Sequence, residues 1–218
     1  MQLREDTIDC TCFEVTHDSQ EHSMTRIAPL TRADLAEFEE HLAFFENAMG
    51  FVPSSIYNMA RVPGLFQAFQ GLAKAALGNQ LIPGELKQLI ALTTSAAGGC
   101  RYCQAHAGHG AEKQGASEEK LRAVWEYETS DLFSEAERSA LRVAFKGGQS
   151  PNAVTDEDFA AMKEHWDDDQ ATAIVAVIAM FGYLNRWNDT IATTLEPDYV
   201  EFGEHALGAV GWEVGKHA

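Results

Sequence analysis

The sequence has little positive charge: 16 Lys and Arg against 33 Asp and Glu leave a formal net charge of −17 over 218 residues. So acidic a chain repels polyanions, and no cluster of Lys and Arg offsets the balance. Nucleic acid and anionic membrane surfaces are therefore excluded as partners. Long apolar runs are also missing. The longest uncharged one, Ala171 to Leu184, falls short of the roughly 20 residues that a membrane-spanning helix needs. The opening residues, MQLREDTIDCTCFE, are acidic and lack the apolar segment of an export signal. These absences lead us to expect a soluble, cytoplasmic protein. No segment alternates with period two, so strands are not expected. No flavin, haem or nicotinamide motif occurs, so no cofactor is expected, and electrons for any redox reaction must come from a partner. Cysteine is scarce, with 4 in the chain, in two close pairs: Cys10 with Cys12, and Cys100 with Cys103. In a reducing compartment such a pair is catalytic or metal-binding rather than a structural staple.

What the chain does have is helical patterning and, at 45% apolar residues, enough material for one substantial core. Residues 1–23 are polar and without period, and read as a flexible arm. Cys10, Cys12, His17 and His22 in that arm form a loose metal-like tract with nothing to fix its geometry. Residues 24–218 read as one helical domain. Thr31 is placed to cap a helix carrying Leu35, Phe38, Leu42 and Phe45 on one face. Pro63 opens another helix, through about Leu77. Pro83 sits at a first-turn position for a helix that stops at Gly98-Gly99. Ser117, Ser134 and Thr155 are successive N-caps, and SEAE and TDED are capping-box patterns. Asp167 to Asp169 start a last long helix, apolar on all faces over ATAIVAVIAMFGYL and so expected at the centre of a bundle. The fold class is all-α. Residues 85–103 laid on 170–188 pair LIAL with IVAV and CRYC with NRWN, which suggests a duplicated helical unit whose second copy has asparagines in place of both thiols. Arg186, at the polar end of that helix, is expected to pair with a buried carboxylate.

The stretch GGCRYCQAHAGHG, residues 98–110, concentrates the reactive groups. Cys100, Cys103, His106 and His109 recur at three-residue spacing. As four metal ligands they spread over too wide an arc of one short helix to enclose a tetrahedral ion. As structural residues, the cysteines are small core side chains and the histidines helix surface. As a redox site, two cysteines nearly one turn apart at a helix start can close a disulfide, and the helix N-terminus favours the thiolate. By that argument Cys100 is the more acidic thiol. His106, one turn beyond Cys103, can exchange a proton with its sulfur.

The segment ELKQLIALTTSAAGGCRYCQAH resembles the active-site helix pair of the AhpD-like alkylhydroperoxidases, in the carboxymuconolactone decarboxylase superfamily. The likeness extends more loosely through SEAERSALRVAFKGGQSPNAVTDEDF and FGYLNRWNDT. It implies an all-helical bundle with an internally repeated unit, homo-oligomeric assembly and a dithiol site reducing hydroperoxides, recharged by an external dithiol protein. By the same resemblance Cys103 is the peroxidatic thiol, Cys100 the resolving thiol and His106 the relay histidine. The family's relay glutamate stands twelve residues before the first cysteine, where this chain has Gln88. An amide cannot carry a proton at neutral pH. Glu85, one turn earlier on much the same face, is the candidate substitute. Two other classes stay in view: a lyase of the carboxymuconolactone decarboxylase type, which does not need the cysteine pair, and a non-enzymatic thiol sensor or interaction protein, which the glutamine permits.

Overall fold

A computed structural model describes residues 25–218. The proposed arm, with Cys10, Cys12, His17 and His22, lies outside the described residues. Helix is the only regular structure among those described. In chain order the α-helices are α1 (Glu39–Met49), α2 (Ser54–Met59), α3 (Leu65–Gly78), α4 (Gly84–Gly98), α5 (Arg101–Lys113), α6 (Glu118–Arg122), α7 (Glu135–Gly148), α8 (Asp156–Lys163), α9 (Asp168–Ile191) and α10 (Pro197–Phe202).

Helix starts follow the local chemistry. Ser134 Oγ accepts the Glu137 N–H (3.3 Å) while the Glu137 carboxylate accepts the Ser134 N–H (2.8 Å). Thr155 with Asp158, and Asp167 with Gln170, form the same reciprocal boxes, so two otherwise orphaned backbone donors are satisfied at each start. Ser117 caps α6 through the Lys120 N–H (3.1 Å). Pro83 stands one residue outside α4, as its N-cap. The helix expected from Thr31 through Phe45 comes in two pieces. A 3₁₀ segment, Ala33–Phe38, leaves helical geometry at Leu35 (φ −114°, ψ 21°) before α1 begins. That break still buries Leu35, Leu42 and Phe45 together.

The centre of the bundle is α4 against α5, α7 and α9. Leu89, Ile90, Leu92, Leu141, Ile174 and Val177 are fully buried there. Helix α7 crosses α4 at Gly148, where a Cβ would stand 2.6 Å from the Thr94 carbonyl oxygen. Helix α9 departs from the all-round burial expected of it. Its neighbours α3, α4, α5, α7 and α8 leave one stripe uncovered, and Thr172, Val175 and Ala179 face outward, Val175 being 40% exposed. Arg186 lies on that outward side. It is exposed and donates to the Gly182 carbonyl of its own helix (3.4 Å), with no carboxylate paired to it among the described residues.

The reactive stretch is positioned by how α4 ends. Gly99 adopts a left-handed conformation (φ 74°), and the N–H groups of Gly99 and Cys100 close onto the carbonyls of Ala96 and Ser95 (both 3.1 Å). Glycine is the residue suited to that conformation, and the turn restarts the chain as α5 one residue later. At the matching place α9 runs on unbroken, so Asn185 and Asn188 sit within a helix.

Candidate active site

Cys100 is the N-cap of α5. Its sulfur accepts the backbone N–H of Cys103 (3.4 Å), so a helix N-terminus points at it. Both cysteines are buried free thiols, but their surroundings differ. Burial alone would push the Cys100 thiol up. Hydrogen bonds from the Cys103 side chain, from His217 and from the Cys103 backbone outweigh it and bring the thiol down to about 6. Cys103 goes the other way. Burial, and then the neighbouring Cys100, raise it well above its ordinary value, although the Asn188 side chain points Nδ2 at its sulfur (3.5 Å). The pair therefore rests with its charge on Cys100 and its proton on Cys103.

Cys103 lies on the wall of a cavity of about 310 Å³, and Cys100 does not. The walls are mainly aromatic and aliphatic, with Phe45, Phe69, Phe181, Tyr102 and Tyr199 among them, and Ser55, Gln88, His106, Lys113, Gln114 and Asn188 add polar groups. The volume is at the small end for a ligand pocket, suited to a small, largely apolar molecule.

His106 stands in this wall with its ring between two tyrosines. Tyr102 stacks on one face (4.4 Å, 24°) and Tyr199 on the other (4.3 Å, 20°). Its Nε2 meets Glu196 Oε2 at 2.8 Å. The other Glu196 oxygen accepts the Ser54 N–H (2.7 Å) and the Tyr102 hydroxyl (3.1 Å). Burial opposes that carboxylate's charge. His106, the Ser54 N–H and its own backbone N–H more than compensate and hold it at about 2. An anionic, hydrogen-bonded carboxylate fixes the orientation of the imidazole.

Glu196 is the functional group that sequence reasoning missed. It is far from His106 in the chain, and before Pro197 it reads only as the start of a short helix. The carboxylate signal pursued instead was local. Glu85 is ion-paired with Lys120 (2.8 Å), which also holds Glu137 (2.8 Å), and it does not line the cavity. Gln88 does line it, packed where a Cβ on Gly110 of α5 would stand 2.6 Å from its Oε1. His109 lies outside the cavity wall and packs edge-on to Tyr199 (4.7 Å) and against Phe202.

The four residues at three-residue spacing do not gather their ligand atoms. Among the described residues the one grouping of three such atoms within 4.8 Å is Cys100, Asp189 and His217. There Lys216 holds Asp189 Oδ2 (2.7 Å) and the Cys103 N–H is directed at the sulfur. The trio is a close group of acid–base side chains, with His217 Nε2 3.7 Å from Asp189 Oδ1.

Comparison with known proteins gives these geometries a context. The sequence model of the carboxymuconolactone decarboxylase family matches residues 63–146. The crystal structure of the debrominase Bmp8 without ligand is similar at 36% identity, with 82% of this chain and 96% of that chain covered and a TM-score of 0.77. A cysteine-to-alanine variant of Bmp8 in complex with 2,3,4-tribromopyrrole is similar at 35% identity, 84% and 97% coverage and a TM-score of 0.78. A peroxidase-related protein of Ralstonia eutropha with an alkylhydroperoxidase AhpD core follows at 26% identity, 81% and 94% coverage and a TM-score of 0.71. The uncharacterized protein YdfG of Bacillus subtilis is 27% identical over 103 residues, which are 47% of this chain and 68% of YdfG.

Proposed function

This chain belongs to the AhpD-like, carboxymuconolactone decarboxylase superfamily, and on that footing we propose that it is a dithiol reductase acting on a small electrophilic molecule. The observation that carries the reading is the placing of the two thiols: Cys103 on the wall of an apolar cavity, and the more acidic Cys100 behind it. With an organic hydroperoxide, Cys103 passes its proton to His106 and attacks the terminal oxygen. The O–O bond breaks, the alcohol leaves after taking a proton from His106, and Cys103 holds the sulfenic acid. Cys100 thiolate then attacks that sulfur. A disulfide forms, and hydroxide leaves as water with a second proton from the His106 side. An external dithiol supplies the two electrons and two protons that restore the pair.

A second reading is favoured by Bmp8, which is more similar in sequence than the peroxidase-related protein, and by the aromatic cavity wall. Here the atom transferred is halogen. Cys103 thiolate takes bromine from an electron-rich bromoarene, the ring carbon takes a proton, and Cys100 displaces bromide to form the same disulfide. Both reactions consume two thiols and one substrate. They differ only in the atom handed to sulfur.

One experiment separates them. Reduced protein is incubated with cumene hydroperoxide or with a polybromopyrrole, with dithiothreitol as reductant, following substrate loss and released bromide. Trypsin cuts after Arg101 and so places the two thiols on separate peptides, whose linkage reports the disulfide. We expect turnover with one of these classes, none with Cys103→Ser, and a single turnover with Cys100→Ser. Stoichiometric disulfide without turnover would make the protein a sensor, and no oxidation at either thiol would remove the reading. Homo-oligomeric assembly is part of the same proposal. The uncovered Thr172–Val175–Ala179 stripe is a surface that such assembly would bury, and light scattering counts the subunits.

A further inference from the structure

His217 has a buried ring that the chemistry above does not use. It is 0% exposed and held by the short turn Gly215–His217. The turn is pinned because the Leu195 N–H donates to the His217 carbonyl (2.7 Å). Nearby, Trp212 Nε1 donates to the carbonyl of Arg101, beside the thiols (3.1 Å). The ring Nδ1 lies 2.8 Å from the Thr193 carbonyl oxygen. A carbonyl only accepts, so Nδ1 carries a hydrogen and the neutral ring has its lone pair on Nε2. That Nε2 has no hydrogen-bond partner, and Asp189 Oδ1 stands at 3.7 Å. The other polar group it meets is the Cys100 sulfur, within the same 4.8 Å cluster. A buried imidazole nitrogen left without a partner is costly, and the thiol clustered with the ring is a group with which it can exchange a proton.

We propose that His217 is the acid–base partner of Cys100, taking the Cys100 proton on Nε2 and holding the thiolate by the resulting N–H, with Asp189 stabilising the imidazolium. The dithiol is then served from two sides. His106 with Glu196 faces the cavity and the substrate, while His217 with Asp189 faces the interior and the resolving thiol. In the proposed cycle, which this inference takes as its setting, His217 keeps Cys100 ionised until it attacks the oxidised Cys103 sulfur. The imidazolium then supplies a hydrogen bond to Cys100 when reduction releases it again as a thiolate. The charged and titratable groups that face this pair are Cys103 from α5, Asp189 from α9 and Lys216 on the Asp189 carboxylate. The Tyr102 ring lies 5.9 Å from the His217 ring. The lowered Cys100 thiol, with a His217 hydrogen bond among its causes, agrees with this placement.

The test needs no substrate, so it stands or falls separately from the proposed reaction. In the full-length reduced protein, the cysteine ¹³Cβ and histidine ring ¹⁵N shifts are followed by NMR from pH 4.5 to 9. We expect Cys100 to titrate near 6 in the wild type and at least about one pH unit higher in His217→Gln, roughly a tenfold fall in the thiolate-to-thiol ratio. Should His217→Gln fail to fold, Cys100→Ser decides: removing the thiol must move the His217 titration, because the coupling is reciprocal. A Cys100 midpoint unchanged in folded His217→Gln, or a His217 titration unmoved in Cys100→Ser, overturns the proposal. So does one equivalent of tightly bound zinc in the protein as isolated, which would make the trio a metal site.

Discussion

Glu196 occupies a position where one atom changes the chemistry. Its carboxylate holds His106 from one oxygen and ties Ser54 and Tyr102 to the other. Glu196→Gln keeps the shape and removes the charge, and we expect turnover of whichever substrate is accepted to fall about 10²-fold, within the range for losing a positioned acid–base pair. A steady-state assay showing less than a twofold change would mean that His106 works without it. The same residue predicts an acid response. Its folded carboxyl titrates at about 2 against an ordinary 4.5. The unfolded chain therefore binds more protons between those values, and the stabilisation is complete above the higher value and lost as pH falls toward the lower. The contribution is at most about 3 kcal/mol. Urea unfolding between pH 2.5 and 6 should show a shallower loss of stability for Glu196→Gln than for the wild type.

At the scale of elements, the close crossing of α4 and α7 is the sharpest packing constraint. A methyl group at residue 148 meets backbone at Thr94 and the Ala97 side chain at 3.0 Å, neither of which can rotate away. Gly148→Ala should therefore cost about 1–3 kcal/mol, as overpacking does, seen as a lower thermal midpoint with the fold retained. This scale also shows what sequence could and could not disclose. Capping boxes at Ser134 and Thr155 were legible because every atom of the motif lies within four residues. The helix restart at Gly99 and the thiol pair were legible for the same reason. Glu196, Asn188 and His217 were not. Asn188 and His217 reach the thiols, and Glu196 reaches His106, from distant parts of the chain, and nothing in LEPDY or GKHA marks a side chain as bound for a cysteine or histidine near residue 100. The burial of α9 was only partly legible, since an apolar stripe reads alike whether or not a neighbour covers it.

The whole molecule carries its excess of acidic groups into any encounter with substrate. A net charge of −17 sets up a repulsive field for anions, which salt screens within about 10 Å at 0.1 M. If the substrate is a neutral hydroperoxide, kcat/KM should be nearly flat between 20 and 500 mM NaCl. A carboxylate-bearing fatty-acid hydroperoxide should start lower and rise with salt, as stopped-flow measurements would show. Equal salt profiles for the two would mean that the cavity mouth is shielded from the surface charge.

The family sequence model matches residues 63–146, and those residues hold both thiols, His106 and Gln88. Glu196, held against His106, and His217, clustered with Cys100, both come from residues 196–217, with Leu195 pinned to the last turn. Reactivity and its tuning are thus encoded in separate stretches of gene. A change confined to that later stretch can therefore alter the groups set against His106 and Cys100 while the thiol helices stay as they are. For the same reason, two chains that share the cysteine motif need not share the environment of their thiols.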